Sequence, residues 1–408
     1  MTRDRIKNYI HENFKKCVRY SPDDNGTLIG LPYPYIVPSP DGYFQEMYYW
    51  DTFFTCKGLY LSGYGEIAKN CTDNMLYLVE KYGFMPNGNR TYYLGQSQPP
   101  FLSMMVRDVY EKYGGSDWLK KAYETLKKEY GFWQTKRITP TGLNQFGVNT
   151  ENIDNFEKHY NSICKRLNYK AECKSYEEFA RNFLSDCESG WDFNPRCGMK
   201  QSEYVFVDLN SNLYIYEKNF EYFANILNSG EEEMWREKAE KRKNLVNKFL
   251  WNGTAYYDYN FVEKRFGTVF SAASFYPLWA KIADYEKARL TVSRLSEIEF
   301  EYGICACAKN TSPCVYQWDY PNGWAPLNYI VICALDNYGY KSDAVRIAKK
   351  YTSAVENLFE KTGTLWEKYN VLTGGTDTKS DYESRIMLGW TAGVYLFSEK
   401  YIEDNKGL

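Results

Sequence analysis

Asp192 stands in the stretch Glu188-Ser189-Gly190-Trp191-Asp192-Phe193, between two aromatic side chains and two residues after a glycine. A carboxyl group flanked by indole and phenyl rings can be desolvated, which raises its proton affinity and suits it to donate a proton near neutral pH. Gly190 lets the backbone approach a ligand closely or take a positive φ. The same residues also support a plainer reading, in which Asp192 caps a helix that begins at Phe193. A second carboxyl in similar company is Glu367, within Leu365-Trp366-Glu367-Lys368-Tyr369-Asn370 and ahead of Gly374-Gly375. Two carboxyl groups far apart in sequence, each beside aromatics, fit the acid and base of a glycosidase. The plainer reading of Glu367 is an ion pair with Lys368 or with another surface lysine.

Four segments are dense in Trp, Asp, Asn, Gln and Gly: residues 44–51, 86–100, 188–193 and 317–326. Each falls at a predicted helix boundary, where binding residues gather on a rigid scaffold. Tryptophan faces beside planar amides and carboxylates are what a pyranose requires, because the indole covers the ring and the polar groups take the hydroxyls. An aromatic content of 18%, with 40 tyrosines, agrees with such a platform.

Helices must position these loops. Apolar spacing of helical period predicts helices over 1–19, 46–61, 65–82, 101–113, 116–134, 175–186, 202–228, 231–250, 269–283, 285–298, 324–338, 342–360 and 382–402. Strand signal is sparse, with one small hairpin arm expected over 256–261. Helical hairpins joined by loops predict an all-α chain forming one domain over residues 1–408. The polar, irregular segment 137–187 reads as an insert within it, of the kind that forms a lid or binding loop. The chain has 408 residues, and 50 Lys and Arg against 52 Asp and Glu give a formal charge of −2. That balance excludes a nucleic acid or an anionic membrane as the expected partner. Eleven scattered cysteines and two isolated histidines predict reduced thiols and no metal or other cofactor. The charged N-terminus shows no signal peptide, and no apolar run is long enough to span a bilayer, so a cytoplasmic location is expected.

The residues also carry a resemblance. Gly42-Tyr43-Phe44-Gln45-Glu46-Met47-Tyr48-Tyr49-Trp50-Asp51 and the QWDYPNGWAP run at 317–326 closely resemble the two signature motifs of trehalases, glycoside hydrolase family 37. PNGNRTYYLGQSQPP at 86–100, ESGWDF at 188–193 and WEKYNV at 366–371 look like further family segments, in the family's order, from about residue 40 to residue 395. The resemblance implies an (α/α)6 toroid and an inverting glycosidase, with Asp192 as general acid and Glu367 as general base. It also implies that Phe44, Trp50, Asp51, Asn87, Gln98 and Trp318 line the sugar pocket, with Tyr48 beside them in the first signature and Gly190 as a backbone contact. Asp381-Tyr382 matches an acidic-aromatic pair near the site.

The departures concern three arginines that the family places around its disaccharide. Tyr43 and Gln96 stand at the first two positions, and Glu172 and Lys174 fall where the third segment carries arginine and glutamate. Replacing a planar five-donor cation is not conservative. The leading expectation is therefore inverting hydrolysis of a small α-glucoside, trehalose-like in its cleaved sugar and changed in its leaving group. The alternatives are a genuine α,α-trehalase with other donors supplied from 137–187, and a catalytically silent sugar-binding protein.

Overall fold

In the computed structural model, which describes residues 2–149, 155–170, 172–380 and 382–407, helical periodicity in the sequence becomes a closed arrangement of helices. The described residues form α1 (Thr2–Cys17), α2 (Tyr49–Leu61), α3 (Gly65–Tyr82), α4 (Leu102–Tyr113), α5 (Ser116–Lys136), α6 (Phe156–Arg166) and α7 (Tyr176–Ser189). They continue with α8 (Val207–Leu227), α9 (Glu232–Phe249), α10 (Tyr276–Trp279), α11 (Tyr285–Val292), α12 (Ala325–Asn337), α13 (Lys341–Thr362) and α14 (Gly389–Asp404).

With α6 and α7 set aside, the helices alternate between an outer and an inner ring. Around the inner ring, α4 packs on α8, α8 on α10, α10 on α12, α12 on α14, and α14 on α2. Phe53 of α2 stacks on Phe101, just before α4, at 4.5 Å between centroids, which completes the circuit. Outer helices lean on inner ones, α3 on α2 and α4, α9 on α8, and α13 on both α12 and α14. The sequence explains the division. The inner helices α2 and α12 are buried over most of their length, as helices apolar all round must be, whereas α9 buries only a stripe through Trp235, Ala239, Arg242 and Val246. This is the (α/α)6 toroid.

Closure between α14 and α2 depends on glycine at the crossing. A Cβ at Gly58 would lie 2.7 Å from the Gly393 Cα, and one at Gly393 would overlap the Phe54 carbonyl oxygen. The two backbones touch there.

Strands are short and serve the loops. β1 (Val18–Arg19) pairs with β2 (Tyr35–Ile36), and β4 (Tyr259–Asn260) lies between β3 (Tyr204–Val205) and β5 (Arg265–Phe266). β6 (Glu299–Phe300) pairs with β7 (Gly303–Ile304), and β8 (Asn322–Trp324) pairs antiparallel with β9 (Lys368–Asn370). The last pair sets Trp324 opposite Lys368 and so brings the 317–324 loop beside Glu367.

Several expected boundaries move for identifiable reasons. The hairpin expected over 256–261 is centred later, on β4 and β5. The helix expected over 202–228 begins at Val207 because Tyr204–Val205 is taken up by pairing with β4. The helix expected over 269–283 shrinks to a 3-10 turn, Ala272–Phe275, leading into the four residues of α10. Pro277 fits only the first turn of a helix, and Ser271 is bridged to Cys307. The helix expected over 382–402 starts at Gly389, since the chain before it runs extended against residues 365–367.

Within 137–187, α6 and α7 pack on each other around a separate apolar cluster that includes Tyr160, Ile163, Phe179 and Phe183. Phe193, Cys314 and Tyr316 join it from outside the segment. Glu172 and Lys174 lie in the chain between these helices, and Lys174 pairs at 3.7 Å with Glu178.

Candidate active site

The segments that precede inner helices α2, α4, α8, α12 and α14 meet around a cavity of about 440 Å³. Tyr43, Phe44, Tyr48, Trp50, Asp51, Asn87, Gln96, Gln98, Gly190, Asp192, Trp318 and Glu367 all line it. Asp381 lies outside the described residues. The wall also contains Tyr93, Arg166, Cys187, Gln317, Trp324, Tyr382, Arg385, Met387 and Trp390.

Burial separates a floor from a rim. Trp50, Asp51, Trp318 and Glu367 are buried, at 1%, 8%, 2% and 5% exposure, while Tyr43 is 60% exposed. Arg166 is exposed and Arg385 half-buried. Five tryptophans support the floor: Trp318 lies flat on Trp324 at 3.9 Å, Trp191 stacks on Trp318 at 5.2 Å, and Trp50 and Trp390 pack against the group.

The Asp192 stretch is shaped by the end of α7. Gly190 is left-handed at φ 74°, and a Cβ there would meet the Trp50 indole at 2.7 Å, so both conformation and space require glycine. No helix begins at Phe193, which removes the helix-cap reading of Asp192. Instead its carbonyl accepts from the Gln317 amide, and Trp318 N–H donates to the Phe193 carbonyl at 3.1 Å. Those bonds tie the two loops together beneath the cavity. Arg166 Nη2 stands 3.9 Å from Asp192 Oδ2, and the guanidinium lies 4.8 Å from the Phe193 ring centroid.

Glu367 is held on every side. Tyr382 donates its hydroxyl to Oε1 at 2.6 Å, and Lys368 Nζ lies 3.1 Å from Oε2. The Glu367 N–H donates to the Arg385 carbonyl at 2.9 Å, and Trp390 Nε1 donates to the Glu367 carbonyl at 3.1 Å. The ion pair with Lys368 expected on the plainer reading is thus present, and it is buried, with Glu367 lining the cavity, rather than on the surface. Burial pushes the Asp51 carboxyl up to about 8, and the nearby charges of Glu367 and Asp192 add to the rise. That rise favours the protonated carboxyl, which can donate as well as accept a hydrogen bond.

A buried ion pair fixes the loops from behind. Arg137 binds Glu188 through Nε at 2.8 Å and Nη2 at 2.9 Å. The same carboxylate accepts from the backbone N–H of Ser97 at 2.8 Å and of Gly147 at 2.6 Å.

Sequence reasoning missed Arg166 and Arg385. Arg166 closes α6 inside a segment with no motif around it, and Arg385 lies where a helix was expected. Trp324, Gln317 and Tyr382 sit inside motifs already singled out, so only their side-chain direction was missing.

Comparison with known proteins agrees with this architecture. A family profile described as Trehalase matches residues 2–402. The chain is 30% identical over 418 residues to a periplasmic trehalase of Xanthomonas campestris pv. campestris, covering 96% of this chain and 72% of that relative. Neutral trehalase Nth1 from Saccharomyces cerevisiae superposes with a TM-score of 0.78 at 27% identity, over 97% of this chain and 80% of that one. A GH63 mannosylglycerate hydrolase from Thermus thermophilus shares the fold, with a TM-score of 0.63 at 18% identity over 96% of this chain and 99% of that one.

Proposed function

Because the chain belongs to the trehalase family and is a glycoside hydrolase, we propose that it hydrolyses the α-glucosidic bond of a small α-glucoside with inversion, and that the leaving group is not that of trehalose. The carrying observation is that Asp192 and Glu367, far apart in the sequence, line one cavity together with Asp51, whose proton affinity both raise. In the proposed reaction Asp192 protonates the departing glycosidic oxygen. Glu367 takes a proton from water as that water attacks the anomeric carbon from the opposite face, and the products are β-glucose and the free leaving group. Tyr382 and Lys368 fix the two oxygens of Glu367, while Trp50, Trp318 and the amides of Asn87 and Gln98 provide a platform for the cleaved sugar.

A second reading, a genuine α,α-trehalase, is favoured by Arg166 and Arg385, which bring two guanidinium groups into a wall where Tyr43 and Gln96 stand in place of family arginines. We further assign the whole chain to one catalytic domain with 137–187 as an insert. Its eleven free cysteines favour a reducing compartment. Among the described residues no helix is long and apolar enough to cross a membrane.

The test is glucose release from a panel of α-linked disaccharides and glucosides, trehalose included, with the anomer of the first product followed by NMR. Release of β-glucose from α-glucosides other than trehalose supports the proposal. Rapid release from trehalose supports the second reading. Silence throughout, with glucose still bound, indicates a sugar-binding protein instead.

A further inference from the structure

One side of the cavity mouth is built of aromatic rings. Phe44 meets Tyr48 at 6.3 Å between centroids, Tyr48 meets Tyr93 at 5.9 Å, and Tyr93 meets Tyr92 at 4.6 Å, each edge to face. Tyr43 precedes Phe44 and carries the Arg385 guanidinium 4.3 Å over its ring. Tyr43, Phe44, Tyr48 and Tyr93 line the cavity, and the row reaches solvent at both ends, Tyr43 at 60% and Tyr92 at 59% exposure. The middle of the row is fixed. Tyr48 donates its hydroxyl to one oxygen of Glu46 at 2.8 Å, and Arg90 Nε holds the other at 2.8 Å. Behind the rings, a Cβ at Gly88 would lie 3.2 Å from Tyr48 and 3.3 Å from Tyr93. Phe44 sits at φ 60°, a conformation that costs a phenylalanine energy and persists only where its surroundings impose it. Burial, with the charges of Glu46 and Asp192 among the further causes, raises the proton affinity of the Tyr93 hydroxyl, so the row passes within electrostatic reach of Asp192.

A general acid stands beside the oxygen of the leaving group, which puts this row on the leaving-group side of the scissile bond. We propose that the row is an extended leaving-group subsite, in which Tyr43 and Tyr92 stack the flat apolar faces of rings that lie beyond the cleaved glucose. This rests on the glycosidase reading above and deepens it: the leaving group carries such rings, as the sugars of an oligosaccharide or as an aryl group. A pyranose offers its C–H face to a tyrosine ring and its hydroxyls to the phenol, and Gln96 in the same wall adds an amide. A row already fixed in place loses little freedom when a ring settles on it. Exposed tyrosines standing singly are ordinary surface residues, but these two end one row that runs along the cavity wall.

The experiment measures kcat and KM with the full chain for two kinds of matched pair. The first sets each glucose trisaccharide against the disaccharide of the same linkage, for the α-1,2, α-1,3, α-1,4 and α-1,6 series. The second sets benzyl α-glucoside against methyl α-glucoside, whose leaving alcohols are of similar acidity. The expected result is a preference in kcat/KM of about tenfold, carried mainly by KM, for the trisaccharide of at least one linkage or for the benzyl glucoside. The pair that shows it identifies a sugar or an aryl ring as the occupant. In at least one of Tyr43→Ala and Tyr92→Ala that preference should fall by about tenfold, and the phenylalanine variant, which keeps the ring, should retain most of it. Both positions are exposed, so these changes leave the core packed. Equal or poorer turnover of the larger member in every pair overturns the inference and leaves the glycosidase reading standing, as does turnover of trehalose alone. A loss in the alanine variants that is the same for both members of a pair also overturns it. No turnover of any of these glucosides, trehalose included, removes the glycosidase reading and this inference with it.

Discussion

Asp192 and Glu367 are placed by different devices, and the difference predicts how substitutions behave. Asp192 is held through its backbone, by the Gln317 amide and the cross-loop bond from Trp318, while Glu367 is held through its side chain by Tyr382 and Lys368. Asp192→Asn should therefore leave the loop in place and lower glucose release by about a thousandfold, within the range of a lost general acid, while glucose binding by calorimetry persists. Retention of more than a tenth of the activity would exclude Asp192 as the acid. Asp51 gives a second test. Its carboxyl titrates near 8 in the folded protein against an ordinary 3.8, so between those values the folded state holds a proton that the unfolded chain releases. Its contribution to stability is full below the lower value and is lost as pH rises through the upper one. The margin in melting temperature of the wild type over Asp51→Asn should shrink from about pH 5 to about pH 8, and a constant margin would refute the neutral carboxyl. At this scale Trp50, Asp51 and Gln98 were reached through the family motifs that contain them, and all three line the cavity. Arg166 was not legible, because nothing local tells a helix-terminal arginine facing solvent from one turned into a pocket.

At the scale of elements, the end of α7 is the joint between the insert and the site. It carries Glu188, the left-handed Gly190 and the start of the Asp192 loop within five residues of one another. Arg137→Ala would leave the wholly buried Glu188 carboxylate without its cation, a change that costs about 3–5 kcal/mol in comparable sites, and denaturant unfolding should register it. Gly190→Ala forces a side chain into a left-handed residue and against Trp50, with an expected loss of about 1–3 kcal/mol and a shift in tryptophan emission as the indole is displaced. An unchanged emission spectrum would mean that the loop, not Trp50, absorbs the added methyl. Element existence was readable from periodicity for α3, α9 and α13. Element boundaries failed wherever a loop had a partner distant in sequence, since Met387 is held by Leu365 and Tyr204 by Asn260, pairings that no local pattern announces.

On the scale of the whole molecule, the toroid is closed by the contact of α14 with α2, whose backbones meet at Gly58 and Gly393. Gly393→Val should separate these helices and lower the unfolding free energy by about 3 kcal/mol or more through overpacking. Activity should fall with it, because Trp50 and Trp390 approach the cavity from the two sides of that seam. A variant of normal stability would show that the ring has slack at this point. The all-α toroid could be read from helix pairing in the sequence, but the closing contact could not, since it joins positions near opposite ends of the chain. That separation has a consequence for synthesis. A ribosome delivers α2 long before α14, so until α14 emerges the nascent chain is an open arc with the apolar flank of α2 that faces α14 uncovered. The pocket does not exist in that arc, because Trp390 and the strand that aims Glu367 have yet to emerge. The pocket is completed only when α14 docks on α2, and until then the exposed apolar surface is of the kind that chaperones hold.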